Sequence, residues 1–208
     1  GLLPVVDKYD AFLIDQWGVM HDGTRAYAGA VECVARLALL GKKIVLLSNS
    51  SKRKSTAFSN LKRMGFRTDA ILDVVTSGEL AWQGLADRKT EPFKSLGKRC
   101  FILGNGDDDV EYATSAGLTL SSLEAADFVL ARGVFATVSA AAEVERFRPN
   151  VMGNSRVEAA LMAAAERGVP MLVTNPDFQR PGTNDPMPGM LGRFYGAVGG
   201  TVHYVGKP

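Results

Sequence analysis

The sequence predicts an α/β protein with mostly parallel sheets. Short apolar runs of strand length alternate with stretches of helical spacing. Glycines at Gly41, Gly65 and Gly168 punctuate the joints. Helix-only or strand-only periodicity is absent.

Taken in order, residues 11–14 read as a buried strand ending on Asp15. Residues 31–40 have helical spacing and stop before Gly41, a good C-terminal cap. A second buried strand, 44–47, ends on Ser48-Asn49, and a helix with a basic start runs on to Gly65. Ser77 is placed to cap a helix through Ala86. Residues 100–103, 128–130, 171–173 and 202–205 read as further strands, with helices near 110–116 and 157–167. The Pro- and Gly-rich stretch 183–192 reads as a crossing loop, and Thr76-Ser77-Gly78 as a second hinge. Two stretches share one pattern of helix, Gly, strand, hydroxyl and Asn: 37–49 and 163–175. Any αβ unit reads similarly. Ligands of open α/β sheets nevertheless sit beyond the carboxyl ends of strands, where Asp15, Ser48 and Asn175 fall.

Composition narrows the function classes. The 208 residues are 46% hydrophobic and 22% charged, with a formal net charge of +2. That balance gives no electrostatic case for nucleic acid. No apolar run reaches the roughly 20 residues of a membrane-spanning helix, and no signal pattern opens the chain. Cys33 and Cys100 match no metal spacing and suit a reducing cytoplasm. The composition leaves homo-oligomerisation open.

Three segments carry candidate chemistry. In Asp15-Gln16-Trp17-Gly18-Val19 a carboxylate leaves a strand and enters a glycine-bearing turn. Such a carboxylate can attack phosphorus or hold a hard cation; it can equally form a turn or cap a helix. Ser48-Asn49-Ser50-Ser51 offers a hydroxyl and successive backbone N–H groups for a phosphate, or a plain N-cap. Lys207, after a short strand, can screen phosphate charge. The acidic run Asp107-Asp108-Asp109 fits the first turn of a helix, where it matches the dipole. Arg132 at a strand end could meet an anion or face solvent.

In this order the segments resemble the haloacid dehalogenase superfamily, and its class IIA branch of nitrophenylphosphatase- and nucleotidase-like hydrolases. The branch opens on Asp-x-Asp-Gly-Val, continues with Ser/Thr-Asn, and later carries Asn-Pro-Asp and Gly-Lys-Pro. The counterparts here are Asp15 to Val19, Ser48-Asn49, Asn175-Pro176-Asp177 and Gly206-Lys207-Pro208. A Thr-Ser pair at the crossing matches Thr76-Ser77, and Pro188-Gly189 matches the return. The resemblance implies a Rossmann-like core with a parallel sheet, interrupted by a large inserted α/β cap. The expected boundaries are 1–78 for the first part of the core, 79–180 for the cap and 181–208 for the second part of the core. The core sheet should then hold the strands ending at Asp15 and Ser48 together with 202–205, while 100–103 belongs elsewhere.

By the same resemblance, Asp15 is nucleophile and magnesium ligand, and Trp17 adds its backbone carbonyl. Ser48 and Asn49 hold the phosphoryl group, Lys207 steadies both, and Asn175 and Asp177 face the substrate or orient the cap. The implied activity is cytoplasmic, Mg2+-dependent hydrolysis of a small phosphorylated metabolite through an aspartyl phosphate. Two departures stand out. Where the family has a second Asp acting as general acid and base, this chain has Trp17. That help is worth about 10²–10⁴-fold, so a catalytically impaired phospho-ligand-binding protein is the alternative. His21 and Asp22 are nearby substitutes, though both suit a surface turn. The family's Gly-Asp-x-x-x-x-Asp stretch, with the remaining metal carboxylates, is expected after Pro208.

Overall fold

A computed structural model describes residues 2, 4–180 and 182–207; Pro208, the last member of the Gly-Lys-Pro run, lies outside them. The chain divides into two compact units: Gly1–Ser48 with Lys52–Thr76, and Asn49–Ser51 with Ser77–Pro208.

The first unit holds a three-stranded parallel sheet of β1 (Ala11–Asp15), β2 (Lys43–Ser48) and β3 (Asp73–Thr76), with β2 in the centre. Helices α1 (Ala30–Leu39) and α2 (Lys54–Arg63) complete the βαβ connections. Ile44 and Leu46 of β2 lie at the centre of a core with Val34, Leu37, Leu61 and Val74. Gly41 ends α1 as its sequence position suggests. It takes φ +70°, its N–H donates to the Ala38 carbonyl, and the Lys42 N–H reaches back to Leu37. That is the Schellman pattern, for which glycine pays no Cβ penalty. The edge strand β1 leaves Leu13 68% exposed.

The second unit holds a seven-stranded sheet: β4 (Arg99–Gly104), β5 (Thr119–Leu120), β6 (Phe128–Ala131), β7 (Ala136–Val138), β8 (Val144–Arg146), β9 (Met171–Val173) and β10 (Val202–Tyr204). The spatial order is β10-β9-β6-β4-β7-β8, with β5 also paired to β4. Strands β10, β9, β6 and β4 run parallel, whereas β7 pairs antiparallel with β4 and β8 antiparallel with β7. Successive residues of β6 alternate between two cores. Val129 and Ala131 pack with α5 (Ser155–Glu166) and α6 (Pro188–Ala197); Phe128 and Leu130 pack with Leu85 of α3 (Ser77–Asp87) and Tyr112 of α4 (Asp109–Ser115). Cover on both faces explains why the central strands β6 and β9 are apolar throughout in the sequence.

Two expectations are corrected here. Residues 202–205 do form a strand, but β10 pairs in register with Met171–Val173 of β9, not with β1 or β2. Residues 181–208, expected as a return to the first domain, therefore lie in the second unit. The stretch 183–192 is also no simple crossing loop, because α6 begins within it. Pro188 takes the first helical position, where its missing N–H costs nothing. Gly189 and Gly192 are packing glycines: a Cβ on the first would strike the Pro176 carbonyl oxygen, and on the second would stand 2.6 Å from the Tyr204 hydroxyl.

Candidate active site

In the first unit, Asp15 pairs in register with Leu47, so Asp15 and Ser48 both lie at the carboxyl edge of the same parallel sheet. Asp15 Oδ1 accepts from the Gln16 N–H at 2.9 Å, a local contact that fixes the carboxylate at the start of the turn. It caps no helix, because α1 starts at Ala30 with Gly29 as its N-cap. Nor is Ser48 the cap of α2, whose N-cap is Arg53. Beyond Asp15 the chain folds into a tight turn. The Gln16 carbonyl accepts from Met20 at 2.8 Å, and the Gly18 N–H donates to the His21 carbonyl at 2.9 Å. Neither bond uses the Trp17 carbonyl. The Trp17 indole lies over Gly23, where a Cβ would stand 2.9 Å from Nε1.

The two candidate substitutes for the acid are each engaged otherwise. His21 is buried, and its Nδ1 accepts from the Gly23 N–H at 3.0 Å. Burial holds the imidazole below its usual range, against the opposing pull of the Asp22 and Asp15 carboxylates. It is therefore neutral at pH 7, and a neutral imidazole is no proton donor to a leaving group. Asp22 forms an Asx turn, its Oδ1 accepting from the Arg25 and Thr24 N–H groups and the Thr24 hydroxyl. Those bonds hold its carboxyl down to about 2, so it is ionised under the same conditions.

In the second unit, four of the site residues read from sequence are joined by direct hydrogen bonds. Asn49 Nδ2 donates to Asp177 Oδ1 at 2.8 Å, and Asn49 Oδ1 accepts from the Lys207 backbone N–H at 2.7 Å. Asn175, buried at the end of β9, accepts from the Asp177 N–H through its Oδ1 at 3.0 Å. The Ser77 hydroxyl, expected to cap its helix, instead lies 2.6 Å from the Thr174 carbonyl and 3.1 Å from that of Ser50.

Arg132 is neither solvent-facing nor placed as an open anion site. Its side chain is fully buried, ion-paired to Asp109 and to Asp108 at 3.3 Å, and its guanidinium lies 3.7 Å from the centre of the Tyr112 ring. It also donates to the Ser51 carbonyl at 3.2 Å, while the Tyr112 hydroxyl donates to the Gly78 carbonyl at 2.6 Å. Asp109, read as a dipole-matching residue, is thus a buried counter-ion with 1% exposure. Sequence spacing carries no sign of this pair, whose members lie 23 residues apart. Among the described residues, no group of three or more His, Cys, Asp or Glu side chains is arranged to hold a metal ion.

Comparison with known proteins agrees with the fold. The profile of the haloacid dehalogenase-like hydrolases matches residues 12–119, just over half of the chain. The chain belongs to that family. A haloacid dehalogenase-like hydrolase from Brucella suis superposes over 100% of this chain and 69% of its own, with a TM-score of 0.78 and 26% identity. A 4-nitrophenylphosphatase from Thermotoga maritima shares the fold at a TM-score of 0.67 and 20% identity, over 98% of this chain and 70% of its own. A 4-nitrophenylphosphatase of Schizosaccharomyces pombe is 34% identical over 55 residues, which span 26% of this chain and only 18% of that enzyme. The chain is α/β with mostly parallel strands, as expected of that family.

Proposed function

We propose that this hydrolase is a magnesium-dependent phosphomonoesterase acting on small phosphorylated metabolites in the cytoplasm, with Asp15 as nucleophile. The observation that carries the reading is the shared carboxyl edge of β1 and β2, from which Asp15 and Ser48 emerge. The Schizosaccharomyces pombe relative is a 4-nitrophenylphosphatase, which supports the same class of substrate. Two free thiols, at Cys33 and Cys100, suit a reducing compartment. Among the described residues no helix is long and apolar enough to cross a membrane.

In this reading a carboxylate oxygen of Asp15 attacks phosphorus as the ester P–O bond breaks, giving an aspartyl phosphate and an alkoxide. Water then attacks phosphorus, the acyl-phosphate bond breaks, and Asp15 and inorganic phosphate are released. Ser48 and the Asn49 backbone hold the phosphoryl oxygens, and Lys207 offsets their charge. Magnesium prefers hard oxygen donors, and Asp15 with the Trp17 carbonyl fits that preference as part of a coordination shell. When bound, the ion supplies neutralisation of phosphoryl charge. With Trp17 at the acid position, and His21 neutral and Asp22 ionised, the leaving alkoxide draws its proton from water. Reaction should therefore favour good leaving groups.

The same observation favours a second reading, a phospho-ligand-binding protein with little turnover. Hydrolysis of a chromogenic aryl phosphate by the full-length protein with magnesium separates the two. Turnover that requires both the metal and Asp15 supports the enzyme; phosphate binding without turnover supports the binding protein.

A further inference from the structure

The Asn49 side chain ties together segments 128 and 158 residues away in sequence, through Asp177 and Lys207 respectively. The bond to Asp177 ends on a carboxylate and is charge-assisted, so it is about twice as strong as a neutral one. Both ends of the amide are thereby used, one as donor and one as acceptor. The Asp177 end is itself fixed. Its N–H is held by the buried Asn175 side chain, and its carbonyl accepts from the Gly189 N–H at 3.0 Å. The Lys207 end is built around Gly206, at φ +146°. A Cβ there would stand 2.6 Å from Pro176 Cδ and 2.8 Å from Asn49 Oδ1. A side chain at position 206 would therefore displace the amide that anchors the next residue.

We propose that Asn49 and Asp177 are positioning residues that set where Lys207 stands, and that Asp177 acts through Asn49 and not on substrate. The proposal rests on the phosphatase reading, in which Lys207 offsets phosphoryl charge. A lysine has a flexible four-carbon stem, so the position of its root governs where the ammonium reaches. Only an amide meets both partners. An aspartate at 49 would set carboxylate against carboxylate, and a serine is too short to span both.

The test compares Asp177→Leu with Asp177→Asn in the full-length protein. Three readouts are taken: kcat and KM on one aryl and one alkyl phosphate, the melting midpoint, and the rate at which an acylating reagent modifies Lys207, read by mass spectrometry with exposed Lys8 as control. Misplacing a charged group is expected to lower kcat about tenfold or more, by the same factor for both esters, with KM little changed. Asp177→Asn keeps an oxygen to accept from Asn49 and should recover most of the loss. Acylation of Lys207, but not of Lys8, should change several-fold in Asp177→Leu and return towards wild type in Asp177→Asn. A large rise in KM that differs between the two esters would overturn the proposal, because it would mark Asp177 as a substrate contact. So would unchanged kcat and unchanged Lys207 acylation. If Asp177→Leu does not fold, Asn49→Ser removes both bonds and carries the same expectations. Should wild type hydrolyse neither ester, the phosphatase reading fails by itself. The acylation rates then decide the clamp alone: altered supports it, unaltered overturns it.

Discussion

Replacing Arg132 by methionine should destabilise the second unit by several kcal/mol. The guanidinium has no solvent exposure and Asp109 has 1%, so water cannot take over either charge. Arg132→Met leaves the Asp109 carboxylate buried, with the Gly106 N–H at 2.6 Å as its remaining short hydrogen bond. Breaking one side of a buried ion pair typically costs about 3–5 kcal/mol. The same change removes the contact over Tyr112 and the bond to the Ser51 carbonyl. The double variant Arg132→Met with Asp109→Leu should cost less than the single one, because no unpaired charge is left behind. Urea unfolding in a Trp17→Phe background reads the second unit alone, through Trp82 on α3, whose Nε1 donates to Ser115 at 3.0 Å. A single-variant cost below about 1 kcal/mol, the range of an exposed pair, would refute the reasoning. So would a double variant less stable than the single.

Three further outcomes are expected. Trp17→Asp should accelerate hydrolysis of alkyl phosphates more than aryl phosphates, since it restores a carboxyl where the leaving group needs a proton; equal acceleration in steady-state kinetics would show that another group already serves. His21, whose folded pKa lies below 6.5, contributes stability that is full above 6.5, where the unfolded imidazole is also neutral. That contribution falls as pH drops through 6.5 towards the folded value, because only the unfolded chain takes up the proton. His21→Gln should flatten the decline between about pH 7 and 5 in pH-dependent thermal melts. Gly206→Ala should lower kcat by displacing Asn49 and Lys207, and it should change Lys207 acylation in the same direction as Asp177→Leu.

The strands at 11–14, 44–47, 100–103, 128–130 and 171–173 were legible because each is a short uninterrupted apolar run of strand length. Strands β7 and β8 were not, since Ala136–Val138 and Val144–Arg146 are short and β8 is exposed along its length. Helix α6 was hidden by Pro188, Gly189 and Gly192, which locally signal a loop. The two glycines answer instead to the close approach of Pro176 and Tyr204, a non-local fact. β10 was readable as a strand, but not as the partner of β9, because sheet membership depends on where the chain returns. At the site, the strand-end positions of Asp15 and Ser48 follow from local pattern. The use of the Asn49 amide does not, because its partners lie beyond any sequence window. For the same reason Arg132 gave no sequence signal beyond its place at a strand end.

The most direct test of the central claim is to trap the covalent intermediate. The full-length protein is mixed with magnesium and an aryl phosphate, quenched during the first turnover and treated with borohydride, which reduces an acyl phosphate to an alcohol. Peptide mass spectrometry should then find homoserine in place of Asp15, and the product should vanish in Asp15→Asn together with turnover. Sustained hydrolysis with an unmodified Asp15, or with the modification at another carboxylate, would contradict the account.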